Sequence, residues 1–131
     1  MAPTPPVEAA RVGPARAASR RPRRLTLVYA RWCPHCVPTS TERAPELAKR
    51  LGVSLRLLDI DRPDEEAIAD RLVRDHGDWT DDYLIPQVFL EWDGGEVIHL
   101  LTGVPGSIRG TEAAWDRLLE AAADLRNPVP R

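Results

Sequence analysis

At 131 residues the chain has the length of a single domain, enough to bury a core without disulfide staples, so its two cysteines are free for chemistry. Eighteen basic residues against twenty acidic ones leave a formal charge of −2, which argues against a general nucleic-acid or anionic-membrane binder. No run approaches the ~18 apolar residues of a membrane span, so a soluble protein with no membrane partner is expected.

The charge is unevenly spread. Arg11, Arg16, Arg20, Arg21, Arg23 and Arg24 crowd the start, and Glu8 is the sole acid before them. With Pro3, Pro5, Pro6, Pro14 and Pro22 and many alanines, residues 1–23 show no periodic apolar face and read as a disordered basic tail. Such a start shares its composition with a transit peptide or a nucleic-acid-binding arm, although a solvated tail is the simpler account. Leu25 to Ala30 is shorter than the ~7–15 residue apolar stretch of a secretory signal, so a cytoplasmic protein is expected.

The domain itself is placed at residues 24–125, with 126–131 as a short C-terminal tail. Leu25 to Ala30, nearly continuous and rich in β formers, predicts a strand buried on both faces. Ala44, Leu47, Ala48 and Leu51 follow helical spacing, and Gly52 stands at the C-cap position. Pro38 interrupts the way into that helix, Thr39 and Glu42 offer a capping box to restart it, and Pro45 could open its regular part. Val53 to Ile60 predicts a second strand, and Asp61, Pro63 and Asp64 begin a helix with Ile68, Leu72 and Val73 inward. Val88 to Trp92 and Glu96 to Leu101, joined through Asp93-Gly94-Gly95, form a β-hairpin. Ala114, Trp115, Leu118, Leu119 and Ala122 share one face of a last helix, with Thr111 as its N-cap.

The order β-α-β-α-β-β-α predicts an α/β fold, parallel strands first and an antiparallel hairpin last. Between the first strand and the first helix lies Trp32-Cys33-Pro34-His35-Cys36, which holds both cysteines. Open α/β sheets place their sites at the carboxyl end of a central strand. Two cysteines cannot build a Cys₄ zinc site, but a C-x-x-C pair on the first turn of a helix can cycle between dithiol and disulfide. A zinc site of Cys33, His35 and Cys36 lacks a fourth ligand, and incidental cysteines are the bland alternative. A sulfur anion at Cys33 would be favoured by the helix N-terminus and by a protonated His35. Trp32, beside the dithiol, is placed at the site rim. His76 and His99 read as ordinary solvated or packed histidines. Asp59 and Asp61, which follow a strand and lead into a helix, read as capping residues.

This order, with Tyr29-Ala30-Arg31-Trp32-Cys33, Leu58-Asp59-Ile60-Asp61, Ile85-Pro86-Gln87-Val88-Phe89 and Gly94-Gly95-Glu96-Val97, resembles the thioredoxin family over residues 24–123. The resemblance implies a three-layer α/β/α sandwich on a mixed sheet of about four strands. It also implies that Cys33 is the attacking nucleophile, that Cys36 resolves the mixed disulfide, and that a cis Pro86 helps to seat the substrate. The Pro34-His35 pair looks like that of DsbA-type oxidants rather than the Gly-Pro of thioredoxins. Leu27 stands where thioredoxins bury an aspartate, and the connection from Gly77 to Leu84 is longer than in a minimal thioredoxin.

The expected function is thiol-disulfide exchange without a cofactor or bound metal. Cys33, Cys36 and His35 are the catalytic candidates, and Trp32, Pro34, Ile85 and Pro86 are the substrate-binding ones. An exposed backbone at Ile85 could pair with an extended substrate. The expected partners are disulfide-containing proteins or small thiols, with a separate reductase or thiol donor and no nucleic acid, acting on a monomer. The alternatives are an oxidant or isomerase of exported proteins, and a non-catalytic module that senses redox state or delivers metal.

Overall fold

The computed structural model describes residues 21–126; most of the basic tail read as disordered, and the segment beyond Arg126, lie outside the described residues. Strand β1 (Pro22–Tyr29) is followed by helix α1 (Thr39–Leu51), strand β2 (Ser54–Asp59), helix α2 (Pro63–His76), strands β3 (Gln87–Trp92) and β4 (Val97–Thr102), and helices α3 (Ile108–Glu120) and α4 (Ala122–Arg126). The sheet runs β2-β1-β3-β4, with β1 parallel to β2 and antiparallel to β3, and β3 antiparallel to β4. This is the thioredoxin-like α/β arrangement that the motifs implied.

Side-chain alternation along β1 divides the core in two. Leu25 and Leu27 enter one cluster with Leu47, Leu51, Leu90, Trp92 and Trp115, under α1, α3 and α4. Val28 enters the other with Leu58, Phe89, Ala69 and Val73, under α2. A strand sandwiched in this way has no solvated face, which is why its sequence is a run of apolar residues rather than an alternation. The tail boundary needs correcting by two residues, because Pro22 is already paired with Trp92 and Arg23 lies within the same strand. Ahead of it, the Asp93 N–H donates to the Arg21 carbonyl at 3.0 Å and the Arg21 N–H to Asp93 Oδ1 at 3.4 Å.

On the Val28 side, near the start of β1, Glu91 gathers a polar cluster. Arg24 donates to both its carboxylate oxygens, at 2.7 and 3.3 Å, Arg56 Nη2 donates at 2.9 Å, and Thr26 Oγ1 donates while accepting from Arg56 Nε at 3.2 Å. Burial alone would push the Glu91 carboxyl up, but the hydrogen bonds from Arg24 and Thr26 and the charges of both arginines outweigh it and hold the group below its ordinary value.

Two helix readings change. Helix α2 approaches the sheet through Ala69 and Val73, with Leu72 half-buried and Ile68 exposed, because the small Ala69 side chain lets that face come close. Helix α3 begins earlier than the reading that made Thr111 its N-cap. The true N-cap is Ser107, in extended backbone, whose hydroxyl accepts from the Gly110 N–H at 2.9 Å. Thr111 therefore falls one turn inside the helix, on its buried side. Helix α1 does end at Gly52, left-handed at φ 71°, as read.

Candidate active site

The first turn after β1 already has helical hydrogen bonds. The Cys33 carbonyl accepts from the Cys36 and Val37 N–H groups, each at 2.9 Å. The Val37-Pro38 bond is cis, Pro38 has no N–H to give, and the regular helix starts at Thr39. The expected capping box does not form: Thr39 is buried, the Ser40 and Thr41 N–H groups both reach the Cys36 carbonyl at 2.9 Å, and the Glu42 N–H pairs with the Pro38 carbonyl. Pro45 lies within α1 rather than opening it. The seam is closed instead by Ser40, whose hydroxyl donates to the His35 carbonyl at 2.7 Å.

Both cysteines are free thiols and share one small buried cluster. They differ in access. Cys36 is fully buried among Ala30, Cys33, Tyr29, Ile60 and Ile85. Cys33, 5% exposed, lines a groove of about 360 Å³ whose walls are Trp32, Pro34 and His35, the segment Asp82 to Ile85, and Gly103 to Pro105. Burial pushes the Cys36 thiol well above the ordinary range; the Ala30 backbone N–H opposes this, and the neighbouring Cys33 adds to it. The folded chain thus keeps a proton on Cys36 that the unfolded chain releases above its ordinary value of 9.0. Stability that is fully present below that pH is lost as pH rises beyond it, by up to ~1.4 kcal/mol per pH unit. Urea unfolding of the reduced protein should show this alkaline loss, and Cys36→Ala should remove the part that sets in above 9.0, leaving the part that the half-buried Tyr83 phenol adds above its ordinary value of 10.0.

The groove brings together Trp32, Pro34, His35 and Ile85 with Cys33. Trp32 stands 67% exposed at the rim, and the His35 ring is half-buried. The Ile85-Pro86 bond is cis. Pro86 is buried behind the groove rather than on its wall, and its carbonyl accepts from the Gly103 N–H at 2.8 Å. That approach depends on glycine: a Cβ at position 103 would lie 2.6 Å from Pro86 Cδ and 2.9 Å from the Ile85 carbonyl oxygen. Gly103→Ala is accordingly expected to cost about 1–3 kcal/mol in urea unfolding, the usual scale of overpacking.

Several groove residues carried no signal in the sequence. Asp82, Tyr83 and Leu84 arrive on the connection after α2, which is organised by the buried Gln87: its side chain accepts from the Asp78 N–H and donates to the Asp78 and Leu84 carbonyls, all within 3.0 Å. Tyr83, at φ 47°, is held by a hydrogen bond to Asp70 at 2.6 Å. Thr111 reaches the site from α3, its Oγ1 2.8 Å from His35 Nδ1. Asp59 accepts from the Asp61 N–H at 2.9 Å and pairs with Arg31 at 3.3 Å, a turn-forming carboxylate. His99 bonds Thr102 at 2.7 Å on the hairpin and takes no part in the groove. Among the described residues no group of three or more His, Cys, Asp or Glu side chains is placed to hold a metal ion, and no helix is long and apolar enough to cross a membrane.

No protein-family model matches the chain, and no curated protein does. Among solved structures it is similar to the reduced form of the C-terminal domain of Neisseria meningitidis DsbD, at 18% identity and a TM-score of 0.46, over 91% of this chain and 97% of that one. The strand order, the helices on both faces and the paired cysteines after β1 are the chain's own features, and they give it a thioredoxin-like α/β fold with a CXXC motif.

Proposed function

We propose that the protein is a thiol-disulfide oxidoreductase that works through Cys33 and Cys36 without a bound cofactor. The observation that carries this reading is the unequal access of two clustered thiols, one on a groove wall and the other sealed behind it. The Cys33 thiolate attacks a partner disulfide. Its electron pair forms the new S–S bond, the partner's S–S bond breaks, and the first partner sulfur leaves and takes up a proton. Cys36 then gives up its proton, attacks Cys33 Sγ and releases the second partner thiol. Two electrons and two protons pass from the dithiol to the partner, and a separate thiol donor or reductase restores the dithiol.

The Cys36 proton keeps the second sulfur idle until a mixed disulfide has formed beside it. A protonated His35 would favour the Cys33 anion, and the exposed Trp32 gives the partner an apolar contact. The Ile85 backbone makes no hydrogen bond to another described residue, which leaves it available to an extended partner chain.

The test is reduction of insulin disulfides in the presence of a dithiol donor, with the dithiol's own potential measured against glutathione. A rate above the donor alone, together with a reversible two-electron couple, supports the reading. A chain that cannot be oxidised to an intramolecular disulfide sinks it.

A further inference from the structure

Thr111 and Trp115 stand one turn apart on the buried face of α3; Thr111 meets His35 directly, and Trp115 meets the serine that holds the His35 carbonyl. Trp115 acts through Ser40: the indole N–H donates to Ser40 Oγ at 2.8 Å, and the Ser40 hydroxyl donates to the His35 carbonyl. Thr111 acts directly on the ring, at Nδ1. A threonine hydroxyl has one proton to give and two lone pairs to offer. One lone pair takes the Val104 N–H at 2.9 Å. The proton has two acceptors in reach: Nδ1 at 2.8 Å, and the Ser107 carbonyl at 3.4 Å, which already accepts the Thr111 N–H at 3.1 Å. With the proton on the shorter contact, the neutral imidazole accepts at Nδ1 and carries its own proton on Nε2; this is the tautomer on which the inference stands. When the ring is protonated, Nδ1–H donates to the remaining lone pair and the hydroxyl turns its proton to Ser107. In both of these arrangements Nε2 is a donor.

We infer that Thr111 is a positioning residue for the dithiol: it fixes the His35 ring through Nδ1 so that Nε2–H is offered to the groove at Cys33, whether or not the ring is charged. This rests on the proposed redox role of Cys33. The titratable groups that share the groove with the ring are Cys33, Asp82 and Tyr83, with Cys36 behind them. Helices α1 and α3 meet His35 with the hydroxyls of Ser40 and Thr111. A ring that carries its proton on Nε2 when neutral can still donate into the groove that Cys33 lines, toward an anion formed there.

Two measurements test this. Long-range ¹⁵N–¹H spectra of the wild-type ring should find neutral His35 in the Nε2–H form; an Nδ1–H form overturns the inference and needs no variant. Iodoacetamide alkylation of Cys33, followed across the neutral range in a Cys36→Ser background, should slow about fivefold in Thr111→Val, the worth of one hydrogen bond. Thr111→Ser should restore it. In a His35→Ala background Thr111→Val should leave the rate unchanged, and an equal slowing there would mark a merely structural role and overturn the inference. Should the parent Cys33 prove no more reactive than an unfolded cysteine, the redox reading fails first, and that failure is visible before any Thr111 variant is made.

Discussion

Cys33→Ser is expected to reduce disulfide exchange by at least about a thousandfold, the scale on which enzymes lose rate with their nucleophile. Cys36→Ser is expected to keep the first chemical step and stall at the second. The asymmetry comes from access and protonation together. With Cys33 gone, the remaining thiol is fully buried, away from the groove wall and held in its protonated form, so neither contact nor a thiolate is available. With Cys36 gone, Cys33 still faces the groove and can form a mixed disulfide that nothing within the chain resolves. Mass spectrometry after exposure to oxidised glutathione should find one stable adduct on Cys36→Ser and none on Cys33→Ser. An adduct on Cys33→Ser at a comparable rate would reverse the assigned roles, and equal stalling of both variants would remove them.

Trp115→Ala should produce the largest loss of stability, about 3–5 kcal/mol by urea unfolding. The ring is fully buried where α3 meets α1 and the sheet, in the cluster with Leu25, Leu47, Leu90 and Trp92. Truncation leaves a cavity the size of an indole in a close-packed core, and it strips Ser40 of the donor that orients its hydroxyl. A domain with ~5–15 kcal/mol in hand loses a large share of it. Trp115→Phe keeps most of the volume and removes only the N–H, so its cost should be nearer ~1 kcal/mol. A loss as small as that in Trp115→Ala would mean that α3 is not a packed part of the fold.

The periodic parts of the chain were legible. Continuous apolar residues announced β1, Gly52 announced the end of α1, and Asp93-Gly94-Gly95 announced the hairpin turn, because in each case the local chemistry and the tertiary environment ask for the same thing. The cysteines and the wall residues Trp32, Pro34, His35 and Ile85 were legible through the motif. What escaped was set by distance in sequence. Thr111 lies 76 residues from the ring it touches, and within its own segment it looks like any threonine before a helix. Ser107 outcompeted it as the cap because the chain is already extended there. Gln87 reads as a polar residue at a strand start, and its role in gathering the connection to Leu84 exists only once that connection folds back over it. Pro38 and Pro45 were readable as disturbances of a helix, but where the regular part resumes was decided by the turn at Cys33 and by Ser40.

The clasp between Arg21 and Asp93 fixes where the chain enters the domain. Strand β1 then carries it across in eight residues to the end that bears Cys33, a span of about 26 Å. A tether joined directly at Arg21 therefore leaves from the opposite pole to the groove. An affinity handle or surface tether attached there should leave the groove at Cys33 open to solution, which makes immobilised protein a practical bait for testing capture of disulfide partners.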